Sequence, residues 1–117
     1  MDDFINTLKQ NGVDVDGALE RFMNNAAMYK KFLGKFANDP NYEALKSAVA
    51  EKDCQKAFTA AHTLKGVCSN LSLTPLFEPV AKQTELFRAE KFEEGAALMP
   101  QVDEAYKSMA DLIASIQ

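Results

Sequence analysis

Apolar residues recur along this chain three and four positions apart, and no stretch alternates with a period of two for long enough to suggest a strand. The pattern predicts an all-α fold. Phe4, Ile5 and Leu8 mark a short amphipathic helix over residues 2–10, which Asn11-Gly12 stops. A second short helix starts after Asp14 and carries Ala18, Leu19 and Phe22. Met28, Tyr29, Phe32, Leu33 and Phe36 place a third over residues 25–37. Asp39-Pro40 closes it and opens the next, because Pro fits a first helical turn and Asp caps free N–H groups there.

The fourth helix, over 41–51, buries Leu45, Ala48 and Val49, and Asp53 caps a fifth that runs to Leu71. A sixth, over 73–89, has Leu73, Leu76, Phe77, Val80, Thr84 and Phe87 on its apolar face. Pro75 suits its first turn, whereas Pro79 calls for a late start or distorted first turns. The last helix, over 92–116, places Met99, Val102, Tyr106, Met109, Ile113 and Ile116 along a bundle seam, with Pro100 kinking it. Connections this short make successive long helices antiparallel. The expected architecture is an up-down four-helix bundle with additional short N-terminal helices, in a single domain over residues 1–117.

Composition narrows the class. Apolar residues at 47% and charged ones at 26% fit a globular chain that folds alone. Thirteen Lys and Arg against seventeen Asp and Glu leave a net charge of -4, and the cations read as interleaved with acids along the length. That argues against nucleic acid, whose binders favour a basic stripe. The start, MDDFINTLKQNG, is acidic and amphipathic, unlike a secretory leader, and no apolar run reaches the roughly 18 residues of a membrane span. A cytoplasmic location without membrane contact is expected, the Met1 start favours a free-standing protein, and no second apolar stripe suggests more than a monomer. Cys54 and Cys68 lie fourteen residues apart on one helix. That is about 21 Å at a rise of about 1.5 Å per residue, so they are expected to be buried, unbridged thiols. With one histidine they match no metal pattern.

The chemistry concentrates in Ala61-His62-Thr63-Leu64-Lys65-Gly66-Val67-Cys68-Ser69-Asn70-Leu71. On a helical wheel Cys54, Ala57, Ala61, Leu64 and Cys68 share the apolar face, with Phe58 at its flank. His62 falls at the edge of that face, where its ring reaches solvent, and Gln55, Gly66 and Ser69 surround it with small and polar groups. Lys65 sits close to the apolar centre, so its stem must snorkel toward the histidine strip. Gly66 stands mid-helix at a cost of about 1 kcal/mol relative to Ala. A cation one turn from an exposed imidazole, beside a residue without a side chain, suits a transient anion on the ring. Each residue alone has a blander reading: a solvated histidine, a solvated or paired lysine, a glycine that lets helices approach. The combination favours function.

These residues resemble the histidine-containing phosphotransfer (HPt) domains of bacterial and eukaryotic phosphorelays. The family's hallmark, Ala-His-x-Leu-Lys-Gly, then small residues and Asn-Leu-Gly, is matched by Ala61, His62, Leu64, Lys65, Gly66, Asn70 and Leu71. Gly12-Val13-Asp14 with Ala18-Leu19, Tyr29-Lys30-Lys31-Phe32-Leu33 and Asp53 also resemble family segments. Ser72 departs from the usual Gly, and Thr84 from a frequent aliphatic residue or Gln.

The resemblance implies a phosphorelay intermediate in two-component signal transduction. His62 is the expected phospho-acceptor, taking a phosphoryl group from the aspartyl phosphate of one response-regulator receiver domain and passing it to another, with a sensor or hybrid histidine kinase upstream. Lys65 is expected to stabilise the phosphoryl group and Gly66 to give docking clearance, while Ser69 and Gln83 are candidate hydrogen-bond neighbours. The chain shows neither a Gly-rich phosphate loop nor a carboxylate cluster for Mg²⁺. It is therefore expected to be no kinase by itself and to carry no cofactor, with Mg²⁺ supplied by the partner receiver domain. A helical docking module that binds a signalling partner without accepting phosphate is the alternative.

Overall fold

The computed structural model describes residues 3–117. Among them are eight α-helices and one short 3₁₀ turn, and no strand. The helices are α1 (Asp3–Gln10), α2 (Val15–Arg21), α3 (Ala26–Lys35), α4 (Asn41–Ala50), α5 (Cys54–Leu71), α6 (Thr74–Arg88), α7 (Phe92–Ala96) and α8 (Met99–Ile116), with the 3₁₀ turn at Phe36–Asn38. The all-α bundle expected from periodicity is present. Residue 2, placed in the first helix by its sequence, lies outside the described residues.

The central element is α5, which packs between α4 and α6. Its N-terminus is set by Asp53, whose carboxylate accepts the Lys56 backbone N–H at 3.0 Å. Its inward face is Ala57, Ala60, Ala61, Leu64, Cys68 and Leu71, so small side chains let both neighbours come close. The chain leaves α5 through Ser72, which takes the left-handed conformation at φ 59°. That conformation explains why glycine suits this position. Here a serine holds it, and the Arg21 guanidinium donates to its hydroxyl oxygen.

The N-terminal helices close this end of the bundle. The Tyr29 hydroxyl donates to the Leu71 carbonyl at 2.7 Å, Arg21 Nε donates to the Asn70 carbonyl at 3.2 Å, and the Asp14 N–H donates to the Ser72 carbonyl at 3.2 Å. Carbonyls freed at a helix end need such partners, and α2, its capping residue Asp14 and α3 supply them. The core runs the length of the rod through Leu8, Leu33, Leu45, Leu64, Leu76, Val80 and Phe87.

Three expectations are corrected. The C-terminal segment is two helices, α7 and α8, because Pro100 occupies the first turn of a new helix instead of kinking a continuous one. The break lets α7 lie close on α6, where a Cβ on Gly95 would stand 2.5 Å from the Phe87 ring. Helix α6 starts at Thr74, in its predicted place, and continues through Pro79. Finally, Met28 and Phe32, read with Tyr29, Leu33 and Phe36 as the apolar residues of the third helix, remain exposed, as does Met23.

Candidate functional site

The outer face of α5 presents Gln55, Thr59, His62, Gly66 and Ser69 in one exposed row. The row follows from registry: Ala61 and Leu64 are fully buried, so the helix cannot roll without exposing them, and His62 is carried outward. Thr59 and Thr63 donate their hydroxyls back to the carbonyls of Gln55 and Thr59, at 3.1 and 2.9 Å. They offer no hydrogen to the imidazole. Among the described residues His62 has no hydrogen bond and no ion pair. Its recorded neighbour is Phe58, one turn earlier, whose ring lies nearly parallel to the imidazole at 12° with centroids 5.6 Å apart. The Arg88 guanidinium rests 4.9 Å from the centroid of that same Phe58 ring.

Lys65, half-buried one turn beyond His62, has no ion-pair or hydrogen-bond partner among the described residues. Its charge is unspent. Gly66 is exposed, and a Cβ built on it meets nothing within 4 Å. The close-packing reading of this glycine therefore fails, since no neighbouring helix approaches it. Ser69 is exposed two turns from His62, about 10 Å along the axis. It borders a shallow depression with Asp14, Arg21, Ser72 and Thr74.

The local electrostatics correct the even interleaving read along the chain. Residues 21–38 and 54–77 hold Arg21, Lys30, Lys31, Lys35, Lys56 and Lys65 and no carboxylate, although the chain carries a net charge of -4. Tyr29 and Arg21 tie these two stretches together at the end of α5. The two stretches that meet at the end of α5 thus carry cations and no carboxylate of their own, within a protein of net charge -4.

An exposed imidazole, a cation one turn on and an open glycine thus share one solvent-facing surface rather than an enclosed pocket. A family model described as the Hpt domain matches residues 18–113. The chain belongs to the Hpt domain family. Searches of curated proteins and of solved structures returned no match. Hpt domains are phosphotransfer modules of phosphorelays, not enzymes in their own right.

In this Hpt domain Gln83 does not serve the imidazole, contrary to the wheel-based expectation. It is fully buried on the side of α6 that faces α7 and α8, where its amide nitrogen lies 3.1 Å from both the Gly95 carbonyl and Met99 Sδ. Its Oε1 is buried without a partner. Thr84, next in sequence, donates its hydroxyl to the Val80 carbonyl at 2.7 Å. A wheel drawn for α5 cannot fix the rotation of α6, which the Phe87, Val80 and Leu76 core contacts set.

Phe58 and Arg88 were not among the expected site residues. The spacing of Phe58, four before His62, was the readable signal. Nothing local to Arg88 gave its position away. The two thiols remain unpaired, Cys68 buried and Cys54 half-buried, and burial pushes the Cys68 thiol up to about 12. Among the described residues no group of three His, Cys, Asp or Glu side chains is placed to hold a metal ion. Among the described residues no helix is long and apolar enough to cross a membrane.

Proposed function

We propose that His62 is the phospho-acceptor of this Hpt domain, receiving a phosphoryl group from the aspartyl phosphate of a receiver domain and returning it to the aspartate of another. A ring nitrogen attacks phosphorus, the N–P bond forms as the aspartyl O–P bond breaks, and the electron pair leaves with the carboxylate. Transfer of this kind depends on positioning and charge stabilisation. Lys65 supplies a cation to the phosphoryl oxygens, and Gly66 lets the partner's surface approach. The observation that carries the reading is the exposed His62 with an unspent Lys65 one turn away. The acid-free stretches around α3 and α5 suit an acidic partner site. Mg²⁺ and the carboxylates that hold it come from that partner, and a sensor or hybrid histidine kinase feeds the relay. We take the protein to act in the cytoplasm as a monomer.

The test is incubation with a phosphorylated receiver domain and Mg²⁺, comparing wild type with His62→Gln. Acid-labile, base-stable label on wild type alone is expected. Binding of several receiver domains without any label would instead identify a docking module that accepts no phosphate.

A further inference from the structure

Phosphoryl transfer needs the attacking nitrogen held in line with phosphorus, and an exposed imidazole with no hydrogen-bond partner is free to rotate about two torsions. In this protein the polar groups that could have held the ring are engaged elsewhere. Gln83 is committed to Gly95 and Met99, Thr84 to Val80, and Thr59 and Thr63 to the backbone of α5. The ring does have an aromatic neighbour: Phe58 stacks on it at 12° with centroids 5.6 Å apart. Phe58 is in turn fixed, being half-buried with the Arg88 guanidinium 4.9 Å from its centroid. Arg88 is held by both oxygens of Glu85, at 3.3 and 3.4 Å. A chain of contacts therefore runs from Glu85 on α6 through Arg88 and Phe58 to the imidazole on α5.

We infer that Phe58, fixed by Arg88, is the positioning residue of His62, orienting the imidazole by stacking in place of a hydrogen bond. The inference rests on the phospho-acceptor reading of His62. A stacked neighbour restricts ring rotation while leaving both nitrogens unbonded, so the attacking lone pair is not weakened by a prior hydrogen bond. The arrangement also divides labour between two cations. Lys65 stands on the His62 side as a charge for the phosphoryl group, and Arg88 acts on the ring through Phe58.

The test uses the full chain and two phosphate donors, a phosphorylated receiver domain and potassium phosphoramidate, which needs no docking surface. With phosphoramidate the ring nitrogen attacks phosphorus, the P–N bond of the donor breaks, and the amine leaves protonated as ammonia. Phe58→Leu keeps apolar bulk without a planar face, and Phe58→Tyr restores the face. Phe58→Leu is expected to slow labelling of His62 by about two- to tenfold with either donor. It should also move the His62 ring-proton NMR signals away from their ring-current-shifted positions. Phe58→Tyr should stay within about twofold on rate and keep the shift. Arg88→Met should slow labelling by about two- to fivefold, with Arg88→Lys recovering most of the rate. Thermal midpoints measured in parallel confirm that each variant is folded. Wild-type label combined with an unchanged rate and unchanged His62 signals in Phe58→Leu would overturn the inference and leave the relay reading standing. Absence of wild-type label from both donors would overturn the relay reading, and the inference with it.

Discussion

Substitution of Gly66 tests the stability of the bundle and the proposed docking clearance separately. A glycine in the interior of α5 costs about 1 kcal/mol relative to alanine, and a Cβ at this position meets nothing within 4 Å. Gly66→Ala should therefore stabilise the free protein by about 1 kcal/mol. Unfolding entropy near 2.1 cal/mol/K per residue gives roughly 0.25 kcal/mol/K for the 117 residues, so the thermal midpoint should rise by about 4 °C. Gly66→Gln, also a good helix former, should rise nearly as much. Transfer should move the other way, because each added side chain stands on the exposed row one turn beyond His62. With a phosphorylated receiver domain as donor, Gly66→Gln should be slowed more than Gly66→Ala, whereas phosphoramidate should label both at the wild-type rate. A lower midpoint in Gly66→Ala would refute the open-space reading. A raised midpoint with wild-type transfer from the receiver domain in Gly66→Gln would refute docking clearance.

Lys65→Ala should slow transfer by about tenfold, or about 1.4 kcal/mol, the scale of one largely solvent-screened cation about 4 Å from an anion, while leaving the thermal midpoint nearly unchanged; an equal rate at 50 and 300 mM salt in wild type and variant alike would argue against a charge role. Gln83→Leu should transfer at the wild-type rate, since Gln83 serves α7 and α8, and a tenfold loss with an intact fold would reinstate it as a neighbour of the ring. Cys68 carries a thiol whose pKa burial raises from 9.0 to about 12 in the folded state. Its contribution to stability is therefore whole below pH 9.0 and lost as pH rises toward 12, with Tyr29, raised by the same cause, adding in the same direction. Urea midpoints should fall steadily between pH 9 and 11, by less in Cys68→Val, and a flat profile over that range would sink the assignment.

Much of this was legible in the sequence because α5 is defined by local rules. Asp53 at the cap, alanines and leucine at inward positions and His62 at the edge of the apolar face all act within one helix. What escaped notice depended on other helices. Gln83 was misplaced because the rotation of α6 is set by its core partners. Phe58 falls at the flank of the apolar face on the wheel, and the Arg88 guanidinium that rests on its ring comes from thirty residues later, on another helix. The beginning of the last segment shows the same limit: Pro100 is compatible with a kink or a start, and the close seat of Gly95 against Phe87 decides for a start. Ser72 is the converse case. Its departure from the family's glycine raised a local conflict, which Arg21, fifty-one positions earlier, answers with a hydrogen bond.

The contacts that secure α5 act on its inward face and at its two ends. Asp53 fixes the start, Ala57, Ala61, Leu64 and Cys68 anchor the middle, and Tyr29, Arg21 and Asp14 hold the carbonyl end. None of them uses the outer row. The hydroxyls of Thr59 and Thr63 bond only to the helix itself, and the side chains of His62 and Lys65 make no hydrogen bond among the described residues. A rigid rod with an uncommitted face is what a relay needs. The acceptor must be held still, yet the surface around it must receive one partner and release it for the next, and neither step should perturb the core. Apart from Gly66, where any side chain relieves the glycine's helix cost, substitutions on the row should therefore change transfer with little effect on stability, whereas Leu64→Ala, which opens a cavity beneath it, should cost about 2–5 kcal/mol.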